Sequence, residues 1–127
     1  MMSGWQILDN TFVDCQCGIL LGGGRDNVIR GNTFVRTDMA IHFDDRGLGG
    51  EKGSCDSTGR DYVQGLNASM NPAWAKYGMA WADLCTPVNN TIEGNSFCQC
   101  PIFVDVPPAT VTKWKSIERG NTNVTSC

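Results

Sequence analysis

Long apolar runs are missing from this 127-residue chain, and no stretch approaches the roughly 20 residues a membrane-spanning helix needs. Charge is also scarce. Charged residues make up 18% of the chain and the net charge is −3, which removes the basic surface that nucleic acid or an anionic membrane would call for. Leucine and isoleucine together fall short of the fifteen glycines, so the long glycine-poor stripes of a helical bundle are excluded. Seven cysteines are present without a single C-x2-C pair, which argues against a zinc ribbon or a thioredoxin-like motif. Histidine occurs once, as His42. Residues 1–25 carry Asp9, Asp14 and Gly22-Gly23-Gly24 and do not read as a signal peptide.

What is present is repetition. Ile7-Leu-Asp-Asn10-Thr-Phe12, Ile29-Arg-Gly-Asn32-Thr-Phe34 and Ile92-Glu-Gly-Asn95-Ser-Phe97 share the pattern Ile-x-x-Asn-[Ser/Thr]-Phe. A degenerate fourth copy runs Ile117-Glu-Arg-Gly-Asn121-Thr-Asn123, with one extra residue between Ile and Asn. A second block follows the first three copies: Cys17-Gly-Ile19-Leu20-Leu21, Met39-Ala-Ile41-His42-Phe43 and Cys100-Pro-Ile102-Phe103-Val104. Aligned this way, the third copy is shorter by two residues, and Leu20, His42 and Phe103 share one outward column while Gly22, Asp44 and Asp105 share the next. Short alternating strands separated by asparagine turns at this period predict an all-β fold, a right-handed parallel β-helix of three to four coils. Stacked coils bury together the isoleucines and phenylalanines that no single coil could cover. Residues 48–87 break the repeat and read as a loop and short-helix insertion within one domain spanning 1–127.

The segments Gly22-Gly-Gly-Arg25-Asp26-Asn27, Ala40-Ile41-His42-Phe-Asp44-Asp-Arg46-Gly47, Trp74-Ala-Lys-Tyr77 and Leu84-Cys85-Thr-Pro87 resemble the pectate-lyase-like superfamily of right-handed parallel β-helices. The resemblance runs over roughly 5–122. It implies an extracellular domain that binds or processes a polysaccharide, by lyase or glycosidase chemistry. Three sequons, at Asn67, Asn89 and Asn123, and the cysteine content agree with a secreted chain. The sequence reads as part of a longer polypeptide, with end-to-end contact to further coils or another subunit expected. The alternatives are a structural or adhesive solenoid module, or a degenerate fragment without independent function.

With Ile41 and Phe43 inward, His42 and Asp44 should face outward together. His42, Asp44 and Asp45 are therefore the candidate catalytic groups, as proton shuttle and carboxylates. Arg25, Arg46, Asp105, Trp74 and Tyr77 are the candidate glycan contacts: arginine for uronate carboxylates, aromatic rings for stacking on sugar. The same residues also read structurally, as an Arg–Asp network bracing the insertion and as aromatics packing it down. No resident cofactor is expected. Asp38, Asp44, Asp45 and Asp105 offer oxygen ligands for Ca2+, without an Asp-x-Asp-x-Asp loop. Cys55 and Cys85 are the expected disulfide. Cys17 and Cys100 are placed in equivalent core columns too far apart to pair, and Cys15, Cys98 and Cys127 are unassigned.

Overall fold

The computed structural model describes residues 4–22, 24–44, 89–106 and 116–127, with Asp44 described by its backbone alone. The expected insertion over 48–87, with Cys55, Cys85, Trp74 and Tyr77, lies outside the described residues, as do Asp45 and Arg46.

Eleven strands are described, and every pairing among them is parallel. The first coil contributes β1 (Gln6–Leu8), β2 (Thr11–Val13) and β3 (Cys17–Gly22); the second β4 (Val28–Arg30), β5 (Thr33–Val35) and β6 (Met39–Asp44). The third contributes β7 (Thr91–Glu93), β8 (Ser96–Cys98) and β9 (Ile102–Asp105), and the fourth β10 (Ile117–Arg119) and β11 (Thr122–Val124). Like strands stack on like, giving the sheets β1-β4-β7-β10, β2-β5-β8-β11 and β3-β6-β9. This is a parallel β-helix solenoid. No helix occurs among the described residues.

Each coil is pinned at the turn between its first two strands. Asp9, Gly31, Gly94 and Gly120 have φ of 55°, 67°, 61° and 63°, a left-handed conformation that glycine and aspartate tolerate. The next residue in every coil is asparagine. Asn32 donates its backbone N–H and its Nδ2 to Asn95 Oδ1 (2.9 and 3.0 Å), and Asn95 donates likewise to Asn121 Oδ1 (3.0 and 3.0 Å). Nδ2 of Asn32, Asn95 and Asn121 also donates to a main-chain carbonyl one coil back, that of Ile7, Ile29 and Ile92. Asn32 and Asn95 are fully buried, and this ladder satisfies turn amides that water cannot reach. A second ladder joins Asn27 to Asn90 through backbone and Nδ2 donors (3.0 and 2.9 Å).

Inside the coils Phe12, Phe34 and Phe97 stack at centroid distances of 4.9 and 5.3 Å, with ring planes within 14°. Ile29 and Ile92 form the neighbouring buried column beside Ile19, Leu21, Ile41 and Phe43. Gly18 is required where the chain passes under the rings: a Cβ there would lie 2.8 Å from the Phe34 ring and 2.7 Å from the Ala40 carbonyl oxygen.

Two expected registers are corrected. Val104 lies on Ile41 and Asp105 on His42, while Ile102 lies on Met39 and is exposed. The third coil is therefore not two residues short. It keeps one offset through all three strands, because stacked hydrogen-bond ladders transmit register from coil to coil. Phe103 turns inward and stacks on Phe97 at 4.8 Å. The shift also separates the two cysteines placed in one core column: Cys17 shares its column with Met39 and is exposed, whereas Cys100 is buried elsewhere. In the fourth coil there is no extra residue. Glu118, not Ile117, stands on Ile92, and Ile117 is 49% exposed.

Cys98 and Cys127 form a disulfide with Cα atoms 6.0 Å apart, tying the tail back to the third coil. The bond closes a span of 29 residues, for which loop entropy assigns about 3–4 kcal/mol. Both fourth-coil strands are exposed along their length, so they depend on this tether more than on burial. Reduction, or Cys98→Ser, is expected to release hydrogen-exchange protection in β10 and β11 well before β4 and β5 open. Simultaneous opening of all four strands would contradict that dependence.

Candidate functional site

Sheet β3-β6-β9 carries the chain's single histidine on its outer face. Alternation fixes this orientation. Ile41 and Phe43 are fully buried, and His42 between them keeps 25% of its side chain exposed. The register then sets Asp105 beside it on the next coil, with its side chain 39% exposed. His42 Nδ1 and Asp105 Oδ2 are 2.7 Å apart.

An ionised carboxylate only accepts, so in this pair Nδ1 carries the hydrogen and donates it to Asp105. The other ring nitrogen, Nε2, is left as the basic position of the neutral imidazole. A carboxylate that fixes the tautomer and orientation of an imidazole produces a proton acceptor aimed by its partner. Leu20 occupies the first-coil position of the same column and is 45% exposed, giving the pair an apolar neighbour.

The other expected site residues are distributed unevenly. Asp44 pairs by its backbone with Gly22, two positions beyond His42 along β6. That spacing is about 6.6 Å along the strand. Asp105 does not share the Asp44 column, as the sequence alignment expected, but stands directly next to His42. Arg25 lies in the turn after β3, where its carbonyl accepts the Gly4 amide (3.0 Å). Asp26 accepts a hydrogen bond from Asn89 one coil away and braces the turn. Asp38 precedes β6, about 13 Å along the strand from His42, so Asp38 and Asp105 do not assemble into one ligand set. Among the described residues no group of three or more histidine, cysteine, aspartate or glutamate side chains is placed to hold a metal.

Two ion-pair columns escaped the sequence reading. Arg36 grips Asp14 with Nε and Nη2 (2.6 and 2.9 Å), and this hydrogen-bonded pairing holds the Asp14 carboxyl below the usual range. Glu93 lies between Arg119 (2.6 Å) and Arg30 (3.6 Å), and chiefly the Arg119 hydrogen bond keeps its carboxyl low. Both follow from coil stacking, which puts residues distant in sequence side by side, and only the correct register reveals the second. Asp14 and the arginines are exposed, Glu93 is half-buried, and all of them are already paired, which makes them braces between coils.

Compared with known protein families, curated proteins and solved structures, the chain matches none.

Proposed function

We propose that this chain is an extracellular β-helix domain of the pectate-lyase-like kind that binds and processes a polysaccharide at the outer face of β3-β6-β9. The observation that carries the reading is the His42–Asp105 pair, held at 2.7 Å across adjacent coils with the imidazole still reachable from solvent. The three stacked strands present one continuous outer surface to a bound chain, and the disulfide agrees with a secreted location.

The geometry favours one proton-transfer role over a two-carboxylate mechanism. Asp105 is engaged by His42, so it serves as the orienting group rather than as a free nucleophile or acid. His42 Nε2 then takes the proton. In elimination this is the hydrogen on the carbon beside a uronate carboxylate; the electron pair forms the double bond as the glycosidic oxygen departs. In hydrolysis it is a proton of the attacking water. Asp44, two positions beyond His42 in the sequence of β6, is the candidate for a second carboxylate, and Arg25 and Arg46 are the candidate partners for acidic sugars.

A non-catalytic structural or adhesive module is the second reading, supported by the buried asparagine ladder and ring stack that stiffen the coils. Turnover of acidic and neutral polysaccharides by the full chain separates the two. His42→Ala and Asp105→Asn are each expected to lower turnover at least about a hundredfold, within the range of general-base catalysis, with the melting temperature nearly unchanged. A clear loss of stability without any change in glycan turnover or binding would select the structural reading.

A further inference from the structure

Asn89 stands just ahead of β7, at the corner where the chain enters the sheet β1-β4-β7-β10. Gly4, Asp26 and Asn89 mark this corner in the first three coils, with φ of 72°, 57° and 55°. Each makes a left-handed step, which glycine, aspartate and asparagine tolerate. The residue that follows enters the second ladder: Trp5 donates its N–H to Asn27 Oδ1, and Asn27 donates to Asn90 Oδ1. Two adjacent asparagines thus have opposite surroundings. Asn90 is fully buried, whereas Asn89 is exposed.

Asn89-Asn90-Thr91 is also an acceptor sequence for an N-linked glycan. The folded chain can carry a sugar there only if the amide nitrogen reaches solvent and keeps its structural bond. The Asn89 carboxamide meets both conditions. Its nitrogen has two hydrogens. One is donated to Asp26 Oδ1 a coil away, and among the described residues nothing accepts the other. Glycosylation replaces a single hydrogen, so the bond to Asp26 survives it. Asn27, Asn32, Asn90 and Asn95 are buried in the ladders, and none of them begins an acceptor sequence. Asn123 does begin one, but it stands on Phe97 at a core-column position of β11 and not at a corner. Asn67 lies outside the described residues.

We propose that Asn89 is a site of N-glycosylation, with the oligosaccharide leaving the corner sideways into solvent and Asp26 fixing the linking amide. In the transfer, Asn89 Nδ2 forms a bond to the anomeric carbon of an N-acetylglucosamine carried on a lipid pyrophosphate. The bond from that carbon to the pyrophosphate oxygen breaks. Its electron pair departs with the lipid pyrophosphate, and Nδ2 gives up one proton. The proposal rests on the extracellular location argued above, since the lipid-linked donor is met on the secretory route. It does not depend on the His42–Asp105 chemistry.

The test is peptide mapping of the full chain secreted by a eukaryotic host behind a cleaved leader. Releasing glycans with an amidase in heavy-oxygen water labels each position that carried one. The label is expected at Asn89 in most molecules. Asn89→Gln and Thr91→Ala should each abolish it there, and because peptides are read, neither variant has to fold. In a chain whose other acceptor sequences are closed by Asn67→Gln and Asn123→Gln, trimming the Asn89 glycan to its first sugar keeps the bond to Asp26. That protein is expected to melt within about 2 °C of the same chain made without glycan. No label at Asn89, whether or not Asn67 or Asn123 is labelled, would overturn the proposal. So would a drop in melting temperature of about 5 °C or more, because the corner would then not accommodate the sugar. The supplied leader routes the chain, so either failure counts against the site and leaves the extracellular reading standing.

Discussion

Phe34→Ala is expected to cost about 3–5 kcal/mol of unfolding free energy in chemical denaturation, the range for deleting a large buried aromatic. Phe34 is fully buried between Phe12 and Phe97, and its ring also closes the space above Gly18. Removing it breaks both contacts of the stack and leaves a cavity that neighbouring strands, held in register by their ladders, cannot collapse to fill. Phe34→Leu keeps the column apolar and should cost clearly less. Because a small domain has only about 5–15 kcal/mol in hand, the alanine variant sits near the edge of folding, and the leucine variant keeps the ranking measurable. Equal losses for the two would mean that the ring stack is not what fills the core.

Asn95→Ala is expected to be nearly as damaging, although it deletes a polar side chain. Asn95 Oδ1 accepts the Asn32 backbone N–H and Nδ2, and its own Nδ2 serves the Ile29 carbonyl and Asn121. Its removal strands buried donors and an acceptor, each worth about 1–3 kcal/mol when left unpaired. A total loss of at least about 2 kcal/mol should follow. Asn10→Ala removes the same residue type from an exposed end of the ladder, where water replaces the lost partners, and should cost under about 1 kcal/mol. A reversed order, with Asn10 the more sensitive position, would show that the ladder is not a buried hydrogen-bond chain.

The contrast between those two asparagines reflects what the sequence could and could not convey. The Ile-x-x-Asn-[Ser/Thr]-Phe copies announced the columns, and the structure stacks Phe12, Phe34 and Phe97 as the repeat implied. The third-coil alignment went astray because Ile102, Phe103 and Val104 are all apolar. The hydrophobic pattern alone therefore does not distinguish Ile102 on Ile41 with Phe103 outward from Val104 on Ile41 with Ile102 exposed and Phe103 inward. The fourth coil misled differently, since Ile117 is the only nearby apolar residue and Glu118 holds the column. A usable signal stood at the turn: Gly31-Asn32, Gly94-Asn95 and Gly120-Asn121 are the same left-handed step, and counting back two residues from Gly120 gives Glu118 where Gly31 gives Ile29. His42 was visible as an outward residue, but its partner was not, because Asp105 arrives through register alone. The Cys98–Cys127 bond was hidden for the same reason: nothing in the spacing shows that the tail returns to the third coil.

Since the chain has a single histidine, nitrogen NMR of the imidazole isolates the His42–Asp105 pair from everything else. In the neutral form the hydrogen should reside on Nδ1, held by Asp105, with Nε2 bare; Asp105→Asn should relax that preference. Addition of an acidic polysaccharide should then shift the Nε2 signal in the unaltered protein and much less in the Asp105 variant. A hydrogen found on Nε2, or an imidazole indifferent to every polysaccharide offered, would contradict a proton-accepting site on this face.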